Sequence, residues 1–357
     1  MSPLDMAWLT TTLLLAVPIL LAASGELVSQ RSGVMNVGLE GMMLFGAFFG
    51  FLIVEQTNSS WFGLLVGIVA GTSLAMVMAL LSVTLRADQI VVGVGINLLA
   101  AGVTIFLNRQ MYLDAGQVTV ARMDKVPVPV LADLPVIGRV FFDQSPVVYL
   151  CYGIVPLIAW VLYRRKWGLA VRGSGELPEA VETAGINVNR VRWSAVLLAG
   201  GLSGLGGAFL SVVQVGLFIE GMTSGRGFLA LAAVVFGKWH PRGMILACLL
   251  FGGADALQLR LQGAETIPSV VWLAAVAVAV VFLVRHVRRN GVTKSGWVLA
   301  GAVPVIAAPL VFDLALSLPA QLWLALPYIL SLAALGGLVG RARVPSALAE
   351  PFDRKNL

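Results

Sequence analysis

Asn36 and Glu40 stand four residues apart inside an otherwise apolar run, a spacing that would put both on one face of a helix. Asn97 and Asn108 mark a second such run. Gln214 and Glu220 close a third, and Asp255, Gln258 and Arg260 share a fourth. Polar groups in apolar segments pair with one another or line a pathway. The amides have the donors and acceptors to hold a polar solute, and Glu40 and Asp255 have the chemistry to hold a proton or a cation. Structural pairing accounts for each of them equally well; Asp255 with Arg260 makes an internal ion pair as readily as a site.

Other chemistry has little to stand on. No Gly-x-x-x-x-Gly-Lys-Ser/Thr loop is present to cradle a nucleotide, and neither His-Glu-x-x-His nor Gly-x-Ser-x-Gly occurs. Cys151 and Cys248 fall in apolar runs and read as small buried hydrophobes. His240 and His286 lie in separate loops, so no metal cluster and no cofactor is expected.

The elements that must position these residues follow from composition. The chain has 357 residues, 59% hydrophobic and 12% charged, where a soluble domain carries about a quarter charged residues. Apolar runs of about 20 residues recur throughout, too long and continuous for barrel strands. The fold class is therefore all-α, a polytopic transmembrane helix bundle of about 9–11 spans. Eleven candidates run at 7–28, 33–53, 61–85, 90–108, 146–163, 193–215, 226–238, 243–262, 268–285, 296–316 and 319–340; the short 226–238 reads as a broken or half helix. Residues 1–12 contain no Lys or Arg and include Asp5, so the first run reads as a retained span rather than a signal peptide.

The net charge of +6 is a topology signal, not a nucleic-acid footprint, because the basic residues cluster between spans. Arg31, Arg86, the island 164–192, Lys238 with Arg242, the run 285–289 and the tail from Arg341 alternate consistently if all are cytoplasmic, which places the C-terminus inside. The other face then receives 55–60, the loop 109–145, Glu220 and Asp313. That loop has four basic and four acidic residues and reads as an ordered cap. Small residues mark close helix approaches: Gly67 with Gly71, Gly93 and Gly95 beside Asn97, and Gly200 with Gly204 in small-xxx-small register.

Residues 163–193 carry six basic and three acidic side chains and read as a water-facing island. Pro178 suits the first turn of a helix and Gly185 the residue past its end. Glu176, Glu179 and Glu182 favour its N-terminal dipole. Ala180, Val181 and Ala184 share one side. Two turns are not stable alone in water. The helix must lean on its own membrane domain or dock on a soluble partner.

The stretch Arg31-Ser32-Gly33-Val34-Met35-Asn36-Val37-Gly38-Leu39-Glu40-Gly41 through Gly50 resembles the N-terminal signature of branched-chain-type ABC permeases, and more narrowly the permeases of nucleoside and simple-sugar importers. Four further blocks agree: Leu85 to Val91, Pro178 to Val188, Gly221 to Phe228, and Trp239-His240-Pro241 leading to Asp255 through Gln262. The similarity covers residues 8–262 and resumes at 318–343. The resemblance implies an importer-type permease in the bacterial cytoplasmic (inner) membrane, working with a second homologous permease, a cytoplasmic ABC ATPase and an extracytoplasmic substrate-binding lipoprotein, with lipid around it. It implies that Glu176, Pro178, Glu179, Ala180, Ala184, Gly185 and Ile186 belong to a coupling helix that docks on the ATPase. It places Asn36, Glu40, Asn97 and the turn with Gly221, Thr223, Arg226 and Phe228 near the translocation path, to which Gln214, Asp255 and Gln258 are added as polar residues of the spans.

Residues 264–317 depart from the family pattern as an extra two-span insert. The expected layout is one permease domain over 1–345 and a cytoplasmic tail at 346–357. The expected function is ATP-driven import of nucleosides or a related small polar solute, the ATP being hydrolysed by the partner. Monosaccharides or branched-chain amino acids are the sister alternative, and a stand-alone secondary transporter using Glu40 or Asp255 is the alternative from another class.

Overall fold

The computed structural model describes residues 6–112, 116, 118–134, 137–261, 304 and 343–353. Its helices are α1 (Met6–Arg31), α2 (Leu39–Thr57), α3 (Ser60–Ala79), α4 (Gln89–Tyr112), α5 (Ile137–Phe141), α6 (Pro146–Arg164), α7 (Lys166–Glu176), α8 (Pro178–Thr183), α9 (Val188–Ala208), α10 (Arg226–Phe236) and α11 (Pro241–Leu261). Two short strands, β1 (Val126–Pro127) and β2 (Asp143–Gln144), pair antiparallel. Among the described residues seven helices are long and apolar enough to cross a membrane. These match seven of the expected spans, and the expected half helix is the eleven-residue α10. The spans expected at 268–285, 296–316 and 319–340, with the insert 264–317, lie outside the described residues. The protein is an all-α, multi-pass membrane bundle.

Residues 13–252 and 341–357 form one compact unit, and residues 1–12 and 253–340 form another. In the smaller unit, Gly253 of α11 faces Trp8 and Thr12 of α1.

The larger unit is built around α9, which is almost wholly buried. Glycines let its neighbours reach it. A methyl group on Gly204 would collide with the Gly67 carbonyl of α3, one on Gly46 of α2 with the Gly204 carbonyl, and one on Gly207 with the Met43 carbonyl. Gly25 of α1 lies against the Ala199 backbone. Such contacts replace side-chain burial with backbone dispersion, the device open to helices that gain nothing from the hydrophobic effect in lipid. The small-xxx-small register is thus a three-way seam, with Gly71 against Gly200 as its last member.

Both α3 and α9 loosen at their ends into π-helical turns, over Leu80–Thr84 and Phe209–Val215. The second is held by Ser211, whose hydroxyl donates to the Ala47 carbonyl at 2.7 Å. It stops at Gly216, in the left-handed region at φ 78°.

The two ends of this unit sort as the basic clusters predict. At one end Arg31 meets Trp239 and Glu176, and Arg86 meets Asp353. At the other Tyr112 meets Glu55, and Arg109 meets Glu220. The loop 109–145 is tied at that second end. Val120 N–H donates to Gly216 O at 2.8 Å, Arg122 Nε to Val215 O at 2.9 Å, and Tyr149 hydroxyl to Val126 O at 2.9 Å. Its described residues are held by this clip and by the β1–β2 pairing.

Candidate functional site

The α2 helix starts at Leu39, not near residue 33. Asn36 therefore lies in irregular chain ahead of the helix, which corrects the shared helix face expected for Asn36 and Glu40. The reason is visible in the hydrogen bonds. Asn36 N–H donates to Glu26 Oε1 at 3.1 Å, so the chain that leaves α1 at Arg31 turns back to the level of Glu26. At 1.5 Å per residue that is about 7 Å back along α1. Residues 32–38 form a re-entrant segment, and irregular backbone at such depth needs partners supplied by protein.

Side chains supply them. Glu26 Oε1 also accepts from Gln30 Nε2 at 2.8 Å, and Gln89 Oε1 accepts from Met35 N–H at 2.7 Å. Ser29 hydroxyl donates to Val34 O, and Asn36 Oδ1 accepts from Gly38 N–H. Asn97 bridges the segment to α4: its Oδ1 accepts from Gly41 N–H at 2.8 Å, and its Nδ2 donates to Val37 O at 3.0 Å. Gly93 makes room, since a methyl there would press on Val37 and Gly38.

A second broken element meets the first. The turn 216–225 runs from Gly216 to Gly225, with Gly221 and Gly225 at positive φ, and α10 begins at Arg226. Glu40, at the start of the adjacent α2, caps it. Its Oε1 accepts from Gly225 N–H and its Oε2 from Gly227 N–H, both at 2.7 Å. A carboxylate at a helix N-terminus satisfies orphan donors and complements the dipole. Both Glu40 oxygens are thus engaged by backbone N–H groups.

The far end of α10 is pinned too. Lys238 and Trp239 both adopt positive φ, uncommon for such residues. Trp239 is held by Arg31, whose Nε and Nη2 donate to its carbonyl at 3.0 and 2.8 Å, and by its own indole N–H donating to Gln30 Oε1 at 2.6 Å.

The other residues expected near the path differ in burial. Thr223 is buried, and Arg226 is half-buried with Nη1 donating back to Met222 and Thr223 carbonyls at 3.2 Å. Gln214 is half-buried in the π-helical turn, while Gly221 and Phe228 are exposed. Asp255 and Gln258 sit half-buried on the part of α11 that belongs to the smaller unit.

At the end of the bundle beyond this junction lies an open cavity of about 570 Å³, lined by Phe51, Asn108, Arg109, Tyr112, Phe218 and Glu220 among others. Arg109 and Glu220 form a two-pronged ion pair there, 3.0 Å on each prong. The hydrogen bond from Arg109 holds the Glu220 carboxyl below the usual carboxylate range.

At the opposite end the expected short helix is α8, starting on Pro178, with Gly185 at φ 82° past its end. Glu176, Glu179, Ala180, Ala184, Gly185 and Ile186 are exposed, Pro178 is half-buried, and Leu177 adds a 57% exposed side chain. The helix leans inward on Val181, which faces Gly173 of α7. It joins the central helix directly: Glu182 Oε2 accepts from Val188 N–H at 3.0 Å, and Asn187 Oδ1 accepts from Arg190 N–H at 2.9 Å, together capping α9.

Arg192 is the correction in this region. It was counted in the water-facing island, yet it is 2% exposed. Its guanidinium donates to the carbonyls of Ser32, Ser174 and Glu350 at 3.2, 3.4 and 2.8 Å. Two of these lie at helix C-termini, where the dipole welcomes a cation. The signal was in the sequence: Val188, Val191, Ala195, Val196 and Ala199 fall on the same helical face.

The described residues thus form a membrane bundle with a short exposed helix, α8, rooted in its central span α9. The chain belongs to the family described as branched-chain amino acid transport system / permease component, which matches residues 8–285. It is 34% identical over 355 residues to the guanosine ABC transporter permease protein NupQ of Bacillus subtilis, covering 96% of this chain and 94% of that one. It is 37% identical over 268 residues to the nucleoside ABC transporter permease protein NupC of Lactococcus lactis, covering 72% and 84%. It is 40% identical over 258 residues to TsgC13 of Haloferax volcanii, assigned by name to a glucose ABC transporter, covering 71% and 77%. The same three organisms each have a second, more distant similar permease, at 22–26% identity. No solved structure matches the chain significantly.

Proposed function

We propose that this chain is the permease of an importer that brings nucleosides across a bacterial cytoplasmic membrane, driven by a separate ATPase that docks on α8. The observation that carries the docking is the exposed apolar set Leu177, Ala180, Ala184 and Ile186 on and flanking a helix too short to stand alone, rooted by Glu182 in the central helix α9. ATP hydrolysis belongs to the partner. Closure of the ATPase moves α8, and α9 carries the movement to the junction of the two broken elements, where the path alternates between the two sides. The path residues are Asn36, Glu40, Asn97, Gln214, Gly221, Thr223, Arg226, Phe228, Asp255 and Gln258. For Asn36, Glu40 and Asn97 the role is to hold the backbone that shapes the path.

A nucleoside is favoured by the length of the match to NupQ, which runs through nearly the whole of both chains. Pairing with a second, different permease is supported by the near and distant relatives found together in three organisms. A substrate-binding lipoprotein would deliver the solute at the end bearing Arg109 and Glu220, and the end bearing α8 and the tail would face the cytoplasm.

The test is purification of the tagged chain from its native membrane in mild detergent, with mass spectrometry of what comes along. An ATPase, a second permease and a lipoprotein that binds guanosine are the expected companions. A companion lipoprotein that binds glucose and no nucleoside would replace the solute. A chain that comes alone and moves solute in liposomes without ATP would defeat the reading.

A further inference from the structure

The chain's last described residues do not hang free at the bundle end. Ala347 N–H donates to Gly175 O at 2.9 Å, and Ala349 N–H donates to Gly33 O at 3.0 Å. Glu350 O accepts from Arg192 Nη1 at 2.8 Å, and Ser346 hydroxyl donates to Glu176 Oε2 at 3.3 Å. Asp353 pairs with Arg86 at 2.8 Å. Ala347 and Phe352 are 5% and 7% exposed.

These contacts reach three separate parts of the chain. Gly175 and Glu176 end α7, immediately ahead of α8. Gly33 opens the re-entrant segment 32–38. Arg86 stands in the turn between α3 and α4. The end of α7, the exit from α1 and the tail are pressed closely together: a methyl on Gly175 would collide with Arg31 O, and one on Gly33, at φ 95°, would meet Arg192 Nη2 at 2.7 Å and Ala347 O at 3.0 Å. Arg192 takes a carbonyl from each of the α1 exit, α7 and the tail, so removing the tail strands part of a buried cation, a costly loss. Arg31, 3.7 Å from Glu176, adds a fourth tie.

We propose that residues 343–353 are a clasp that makes the root of α8 and the re-entrant segment one rigid body. It rests on the reading of α8 as the ATPase-docking helix. Between α7 and α8 the chain bends at Leu177, which is outside helical geometry at φ −147°, ψ 82°. Without the clasp, a push on α8 is absorbed at that bend. With it, the push displaces Gly33 and the chain that follows to Asn36 and Glu40. The tail positions moving parts and touches no solute.

The experiment uses the complete complex of permeases, ATPase and binding lipoprotein in liposomes, measuring ATP hydrolysis and uptake of radiolabelled guanosine together. Three variants are compared: a chain ending at residue 342, Asp353→Arg, and Arg86→Asp combined with Asp353→Arg. The clasp predicts that Asp353→Arg still copurifies with the ATPase and hydrolyses ATP, while uptake per ATP falls about fivefold or more. The reversed pair restores uptake to within about twofold of the unaltered complex. Should the shortened chain fail to assemble, the reversed pair alone decides. Unaltered uptake per ATP in Asp353→Arg, or no recovery in the reversed pair, overturns the clasp. Loss of ATPase copurification from an assembled variant overturns it too, since the tail would then be a docking element. If the unaltered chain recovers no ATPase, the reading beneath the clasp has failed instead.

Discussion

Glu40 accepts a hydrogen bond from the Gly227 main-chain N–H at 2.7 Å, across 187 residues of sequence. The two backbones lie so close that a methyl on Gly227 would meet the Glu40 Cα at 2.6 Å. One side chain therefore closes two discontinuities: it stands at the start of α2 and caps the start of α10.

Glu40→Ala leaves Gly225 and Gly227 N–H without their acceptor. A loss of roughly 2–4 kcal/mol in the stability of the detergent-solubilised permease is expected, read as a lower thermal midpoint. Glu40→Gln keeps one acceptor oxygen and should fall between. Gly227→Ala should resemble Glu40→Ala, because separation of the same backbones is its only relief. Unchanged midpoints in all three would dissolve the clasp role of Glu40.

The docking surface has its own test. Glu179→Arg with Ala180→Trp changes the charge and bulk of α8 at exposed positions and leaves the bundle untouched. Membrane insertion should be unaltered and ATPase copurification lost. Copurification at the unaltered level would free α8 from the docking role.

The glycine seam is less forgiving. Gly204→Leu drives a branched side chain into the Gly67 carbonyl and the Gly71 backbone, at a cost of about 3 kcal/mol or more by overpacking. Expression should fall and the solubilised protein should aggregate on gel filtration. Gly95→Ala, where the structure offers open space, is the matched control and should behave as the unaltered chain.

The Arg109–Glu220 pair fixes a pH dependence. The folded-state pKa of Glu220 is depressed by the Arg109 hydrogen bond. Its contribution is fully present above the unfolded carboxylate value of about 4.3 and is lost as pH falls through the lower folded value. The difference in thermal midpoint between the unaltered chain and Glu220→Gln should be constant from neutral pH to about pH 5 and vanish in stronger acid. A difference that instead shrinks between pH 8 and pH 6 would assign the dependence to another group.

What the sequence alone determined is what depends on local composition. Long apolar runs set the spans, because each helix satisfies its own backbone in lipid, and seven of them stand where hydropathy puts them. Pro178 and Gly185 bounded α8 because both act on the backbone of a single residue. Basic clusters sorted the two ends, and small residues marked the seam. Tertiary structure decided whatever depends on which distant groups meet. Asn36 and Glu40 share a helical spacing but not a helix, since Glu26 and Asn97 satisfy the backbone of residues 32–38 better than another turn of α2 would. Arg192 reads as a solvated charge in its local stretch and becomes a buried knot only where Ser32, Ser174 and Glu350 turn their carbonyls toward it. The apolar face it shares with Val188, Ala195 and Ala199 signals its burial, but periodicity does not name its partners, which lie 160, 18 and 158 residues away, because a hydrogen bond depends on distance in space, not along the chain.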